Sequence, residues 1–593
     1  MTLTSSPGAQ RTSTIPEISI EGTPLDPMVS AALVSTEVFT SIVSPGSAAL
    51  VFSYKGASQI AMGGFEIGAT LKVNLPGRLD PLLPLFQGKL SALELDYAVG
   101  TGSRLVVRAV DAAHKLTMNT SPRIQADMTS SEMVSIIVEE AGIIPGMITP
   151  TSDLNKVIVK PAIDDWSYIQ YLAKRVGYIA YMSGGKFFFT PPTAAEEGPE
   201  PYASYEEPMV PNLLVLGKNL VRFTGRVSAA AQAEEINVRG WSVQEEVPTE
   251  GVGVLETDSA LPSAPNAELA QLGGVEQMVV ADPSFTTESS AELYADSIAD
   301  YLAGLAYQMH GTTLGDPNLV AGDIARVAMA GMPFDGAYLI TEATHAVSPE
   351  FGYQVDFSLS GRAGSSLIDL VGSDVPQLHR QMVGVAPGVV TSLADPEMQG
   401  RVQVSFLWLD PKHQSDWVSV VQPSVGDESG TVFLPEVGTE VLCAFANGDI
   451  NHPYVLGGLW SAENKPSSPE LMVSDLGEVM QHRIVSHEYS FMIDDNPETM
   501  GVRMQDLEGS FQIAINGTED VITIRAAEGQ VMVSGGTITI QAEEELTLTA
   551  PSISISGDAD VSIEGASISI SGDADVSIEG ATVSIDAPEI SLA

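Results

Sequence analysis

The clearest hydrophobic pattern in the chain lies near its C-terminal end. From Val531 onward apolar residues come in pairs at i and i+2, most with Ser or Thr between them. The pairs are Val531/Val533, Ile538/Ile540, Leu546/Leu548, Ile553/Ile555, Val561/Ile563, Ile568/Ile570, Val576/Ile578, Val583/Ile585 and Ile590/Leu592. They follow one another every seven or eight residues, and Ile522/Ile524 is read as an earlier member of the series. The stretch Ser552–Ala566, SISISGDADVSIEGA, recurs without a change as Ser567–Ala581. An i, i+2 pair points to one face of a strand while the residue between points to the other. Gly or Ala-Pro near each break permits a turn. The pattern therefore predicts a β-solenoid that keeps one face inward. Two inward residues per strand make a thin stripe, and one chain winding alone would enclose very little. Three chains wound about one axis would close the core. A single-chain β-helix and an adhesive low-complexity tail are the alternatives.

Upstream, the pattern alternates between strands and a few helices. Residues 15 to about 115 are strand-like, with Val51–Tyr54, Leu71–Val73 and Arg104–Val107 as short β-rich runs broken by Gly and Pro. A helix is predicted over Ser131–Ala141, with Thr129 and Glu132 at capping-box spacing and Gly142 at its C-terminal end. A second is predicted over Asp164–Val176, with Trp166, Ile169, Leu172, Ala173 and Val176 on one face. A third spans about Ser290–Tyr307, capped through Ser289 and Glu292, with Leu293, Ile298, Leu302 and Leu305 inward. Residues 191–211, rich in Pro and Glu, look like a linker. Residues 323–359 are strand-like again. Residues 384–460 hold about five short strands with Gly and Pro at the corners, which suits a small Greek-key barrel of the oligonucleotide/oligosaccharide-binding (OB) type.

The chain has 593 residues, enough for about four domains at roughly 150 residues each. Its 27 Lys and Arg against 76 Asp and Glu give a formal charge of -49. That speaks against nucleic acid and anionic membrane surfaces as partners, since both need clustered cations. The excess of acid also resembles proteins of salty cytoplasm. The lone Cys443 excludes an intrachain disulfide and a thiolate zinc cage. No apolar run is long enough to span a membrane as a helix, and Met1–Ile20 does not read as a signal peptide. Assembly in the cytoplasm is expected.

No G-x-S-x-G, H-E-x-x-H or complete phosphate loop is present; Gly184-Gly185-Lys186 lacks the upstream Gly. Glu436, Glu440 and Asp449 could pass for a carboxylate cluster but read as turn and rim residues of the barrel, with Trp417 and Phe445 as core candidates. The Gly-Asp-Ala-Asp turns at 557–560 and 572–575 lack the calcium-binding nonapeptide pattern. No catalytic, cofactor or metal residues are assigned.

The order of parts resembles the hub–spike proteins of contractile injection systems: VgrG of type VI secretion, phage baseplate spikes and the spikes of extracellular injection particles. The resemblance is strongest at DPEMQGRVQV (Asp395–Val404), WVSVVQP (Trp417–Pro423), FLPEVGTEVLCAF (Phe433–Phe445) and HPYVLGGLW (His452–Trp460). It is weaker at DDWSYIQYLAKRVGY (Asp164–Tyr178) and FDGAYLITEATH (Phe334–His345). It implies a mainly β fold with some α. Residues 1–375 would form a hub of two β-barrel-like parts plus helices, 376–465 an OB-fold collar, and 466–593 a neck and intertwined trimeric β-helix needle. The needle core would comprise Ile553, Ile555, Val561, Ile563, Ile568, Ile570, Val576, Ile578, Val583 and Ile585. Glu589, Ile590, Ser591, Leu592 and Ala593 would dock a PAAR-type tip protein. Inner tube protein, baseplate components and effector cargo are the other implied partners of a non-enzymatic homotrimer. Too few residues separate Trp460 from the needle for the lysozyme domain that some phage spikes carry. A fused effector activity and a trimeric adhesin fibre are the rival readings.

Overall fold

The computed structural model describes residues 15–77, 82–98, 102–192, 212–229, 232–242, 247–254, 275–331, 334–360, 384–410, 412, 414–427, 429–573 and 575–588. The chain divides into two compact units, residues 1–465 and 466–593.

In the first unit, alternating strands bury one side of each against a common core. The strand Leu33–Ser41 pairs with Gly336–Ser348 in antiparallel register, Phe39 opposite Thr344. This pairing joins the two strand-rich regions, near residues 15–115 and 307–360, with Leu213–Val215 and Leu220–Val227 into one thirteen-stranded sheet. Leu50, Phe52, Leu71, Val73 and Leu75 from the first region and Tyr307, Tyr338, Val355 and Phe357 from the second share one buried core.

The helices form where caps and apolar faces place them. Ser130–Glu140 carries the expected capping box, with Thr129 and Glu132 each bonding the other's backbone, and Gly142 follows with φ +64. Asp165–Arg175 buries the predicted face: Trp166, Ile169, Leu172, Ala173 and Val176 pack with Met133, Ile137, Phe187 and Phe189. The third helix, Glu288–Leu305, starts earlier than the sequence suggested, because Thr287 rather than Ser289 accepts from the Ser290 N–H. Its buried side keeps the expected Ile298 and Leu302 but is built mainly of small residues. Ala291, Ala295, Ala299 and Ala303 recur every four residues and are buried with Ile298 and Leu302, while Leu293 is only partly buried. The reason is close approach. Gly251 and Gly253 of the strand Val247–Val254 lie directly under the helix, and a Cβ on either would fall within 2.1–2.4 Å of the backbone at Ala291, Glu292 and Ala295.

The OB region is a four-stranded sheet of Gln403–Ser405, Val385–Ser392, Glu440–Phe445 and Pro453–Gly458, in that spatial order. One of the five expected strands, and the first half of another, are reduced. Trp417–Val421 touches one strand through Val418, opposite Val402, and another through Val420, beside Val455, so it threads between strands instead of laddering with one. Gly430–Leu434 pairs only at its start, through Ser429–Gly430 with Val425–Gly426. Phe445 is in the core, whereas Trp417 is half-buried outside it. That core is shared: Val159, with Ile124 and Val157 alongside, enters it from the antiparallel strand pair Arg123–Met128/Asn155–Lys160.

The second unit opens with an antiparallel meander of Gln481–Val485, Tyr489–Asp494, Gly501–Asp506, Phe511–Asn516 and Val521–Ala526. Ile522 and Ile524 belong to its last strand, opposite Ile515 and Ile513, and not to the repeating series. Their neighbours are other strands of the same chain, as the four closely spaced turns of a five-stranded meander dictate. Residues 527–588 follow as extended chain.

Candidate assembly surface

The repeating segment presents an apolar face that its own chain leaves uncovered. The first residue of each pair is about half exposed and the second about two-thirds: Ile553 52% and Ile555 66%, Ile568 52% and Ile570 69%. Val561/Ile563, Val576/Ile578 and Val583/Ile585 repeat these values closely. The period of the sequence has thus become a period of surface. At each Gly-Asp-Ala-Asp turn the geometry recurs too; a Cβ on Gly557 would lie 2.7 Å from the Asp560 carbonyl oxygen, and one on Gly572 2.8 Å from that of Asp575.

The backbone is equally open. Among the described residues, 528–588 make no backbone–backbone hydrogen bond and belong to no strand ladder. A solenoid wound by one chain would ladder each strand onto the next turn of itself. Here the extended N–H and C=O groups and the apolar stripe both face outward, ready for pairing with another chain. All ten needle residues named from the sequence lie on this surface. Glu589, Ile590, Ser591, Leu592 and Ala593 lie outside the described residues. The segment is also uniformly acidic: no Lys or Arg follows Arg525.

A second apolar surface escaped the sequence reading. Residues directly opposite on an antiparallel sheet share a face. In the meander, Ile484, Phe491, Met504, Ile513 and Ile524 line up across all five strands, and His482, Ile493, Val502, Ile515 and Ile522 form the next row. Ile484, Met504 and Ile513 are each 53% exposed. The other face is polar and tied together: Asp494 accepts from Gln481 Nε2 and Thr499 Oγ1, each at 2.9 Å. Alternation within each of the five segments was the available signal, but only the strand registers bring the rows together.

The polar motifs of the first unit do structural work. Asp164 caps its helix, accepting from the Ser167 N–H at 2.8 Å. Asp165 pairs with Lys160 Nζ at 2.9 Å with both side chains buried, and burial pushes the Lys160 ammonium below its ordinary range against the pull of Asp165. Trp166 Nε1 donates to the Val43 carbonyl. His345 is fully buried, its Nε2 3.0 Å from the Leu319 carbonyl oxygen and its Nδ1 2.8 Å from the Tyr353 hydroxyl. Since the carbonyl can only accept, Nε2 carries the proton and Nδ1 accepts from Tyr353. Burial lowers its pKa to about 4.

Glu436, Glu440 and Asp449 do not converge on a site: Glu436 is exposed, Glu440 half-buried and Asp449 buried. Asp449 accepts from Asn451 N and Nδ2, and Asn451 Oδ1 in turn accepts from Val159 N at 2.8 Å, fastening the barrel to the strand pair beside it. Burial raises the Asp449 carboxyl, but His452, the charge of Arg175 and the Asn451 N–H together hold it well below the usual carboxylate range. Among the described residues, no group of three or more His, Cys, Asp or Glu could hold a metal ion.

Two family models match parts of the first unit. Residues 386–460 match the family described as the type VI secretion system/phage-baseplate injector OB domain. Residues 79–349 match one described as the Alg8 N-terminal domain. The actin cross-linking toxin VgrG1 of Vibrio cholerae is 22% identical over 381 residues, covering 60% of this chain and 33% of that protein. The type VI secretion system spike protein VgrG5 of Pseudomonas aeruginosa is 31% identical over 152 residues, 24% of this chain and 18% of that one. The chain thus spans a third or less of the length of these relatives. The Francisella PdpA-VgrG complex, in its half-lidded form, contains a chain that superposes with a TM-score of 0.50 at 7% identity, covering 86% of this chain and 87% of that one. This last likeness is one of fold.

Proposed function

We propose for this chain, which is VgrG-like in sequence, the role of central spike in the baseplate of a contractile injection system, acting as a homotrimer. Residues 1–375 form the hub that caps the inner tube, 376–465 the collar, and 466–593 the neck and needle. The carrying observation is the stretch 531–585, whose apolar stripe is half to two-thirds exposed and whose extended backbone makes no backbone–backbone hydrogen bond among the described residues. Three copies wound together satisfy both at once. The hydrogen bonds run between chains, and the paired apolar side chains meet on the axis.

The mechanism is mechanical. Sheath contraction drives the tube, and a narrow hydrogen-bonded needle concentrates the force on a target envelope. The chain acts without chemistry of its own. It is assembled inside the producing cell with tube protein and baseplate components, and delivered outward with effector cargo and a PAAR-type cone on the tip. Glu589–Ala593 form the docking platform for that cone. Deleting these five residues is expected to leave the trimer intact and abolish capture of the cognate tip protein in pull-down. Unchanged capture would refute the platform.

A further inference from the structure

The needle stripe has a weakness that its own sequence creates. Because Ser552–Ala566 and Ser567–Ala581 are identical, a chain displaced by one repeat against its neighbours places the same side chains in the same surroundings over that region. Pairing in a sheet is fixed only by differences along the strand. Identical repeats supply none, and the flanking pairs keep the seven-to-eight spacing. The information that aligns three chains has to lie elsewhere.

The meander carries it. Its two apolar rows are made of unlike residues: Ile, Phe, Met, Ile, Ile in one and His, Ile, Val, Ile, Ile in the other. They leave a broad apolar face exposed on a sheet whose opposite face is polar and internally bonded. Soluble monomers seldom expose so large a contiguous patch. The face runs along the chain directly into the uncovered stripe that begins at Val531. We propose that this face is where copies of the chain meet ahead of the needle, and that the contact sets the register in which the repeats then zip. The occupant is a second and third copy of this chain. The inference rests on the trimeric reading above.

The test uses the full chain with a spin label at Ser584→Cys, beyond both repeats. Cys443 does not interfere, being buried, with its thiol pushed up to about 12. Distances between labels are measured by pulsed electron resonance and mass by sedimentation. The otherwise unchanged chain is expected to give trimers with one narrow distance. Met504→Asn with Ile515→Asn is expected to add a second population, displaced by two strands or about 10 Å along the axis, or to lose the trimer while the first unit keeps its melting temperature. Deleting 567–581 in that variant should restore one distance wherever the trimer persists. Gln512→Asn, on the polar face, should behave as the parent. A trimer with a single unchanged distance in the Met504/Ile515 variant overturns the proposal. A parent chain that sediments as a monomer or dimer overturns the trimeric reading instead.

Discussion

Lys160 and Asp165 show how a family-like motif is built for packing. Their charges face each other at 2.9 Å in a site that neither side chain shares with solvent. Removing one partner leaves an uncompensated buried charge, which costs about 3–5 kcal/mol, whereas exchanging both for apolar residues is often close to neutral. Asp165→Ala should lower the stability of the first unit by that amount, and Lys160→Met with Asp165→Leu should recover most of it. Equal melting temperatures for the single and double variants would refute the pairing.

His345 and Asp111 make a sharper prediction because they oppose each other. Asp111 is buried and accepts from the Gly46 and Ala113 N–H groups, yet burial raises its pKa to about 6 from 3.8. His345 falls to about 4 from 6.5. Between pH 6 and 4 folding therefore gains a proton at Asp111 and loses one at His345, and the two slopes cancel. Asp323 is also pushed up to about 6 by burial and keeps its slope in either variant, so each is compared with the parent chain. Relative to the parent, Asp111→Asn should lose stability as pH drops from 6 to 4, by roughly 1.4 kcal/mol per unit. Relative to the parent, His345→Gln should gain stability over pH 6 to 4 by a similar slope. Thermal melts of the two variants across this range should diverge in sign, and parallel curves would contradict the assignment.

Among the elements, the needle repeat has the plainest test. Ile568 sits on the apolar stripe and Ser569 on the opposite side. Ile568→Asp would place three carboxylates at one level of the threefold core, desolvated and near like charges. It should fray the needle from that level onward, read as lost amide protection. Ser569→Asp should be mild, and equal effects would mean that the inward face is misassigned. This stripe was legible because a period needs no knowledge of distant partners. So was the helix at 130–140, whose capping box is local. The helix at 288–305 was legible in existence and, through Ile298 and Leu302, in part of its inward face. Its inward face follows Gly251 and Gly253, small residues far away in sequence whose meaning appears only when the strand lies beneath the helix. The two rows of the meander failed for the same reason, since alternation marks each strand but only pairing aligns them. Trp417 looked like core by residue type, yet its segment threads between two strands and leaves it half-buried.

For the whole molecule, charge and assembly are coupled. A formal charge of -49 per chain is tripled in a trimer, and the region after Arg525 has no cation to offset it. Apolar burial along the stripe has to overcome repulsion between acidic turns such as Asp558, Asp560, Asp573 and Asp575. That repulsion is screened over about 10 Å at 0.1 M salt. Trimer stability should therefore rise as salt is raised from millimolar to molar, most steeply for the needle. A flat response would leave the acidity without a structural role.

The most direct measurement is sedimentation of the full chain at micromolar concentration, paired with hydrogen exchange over 531–585. The account predicts one species at three times the 62.4 kDa chain mass, with slow exchange throughout that stretch. A monomer whose 531–585 amides are nonetheless protected would contradict it, because a single chain would then have satisfied a backbone and an apolar stripe that are open here.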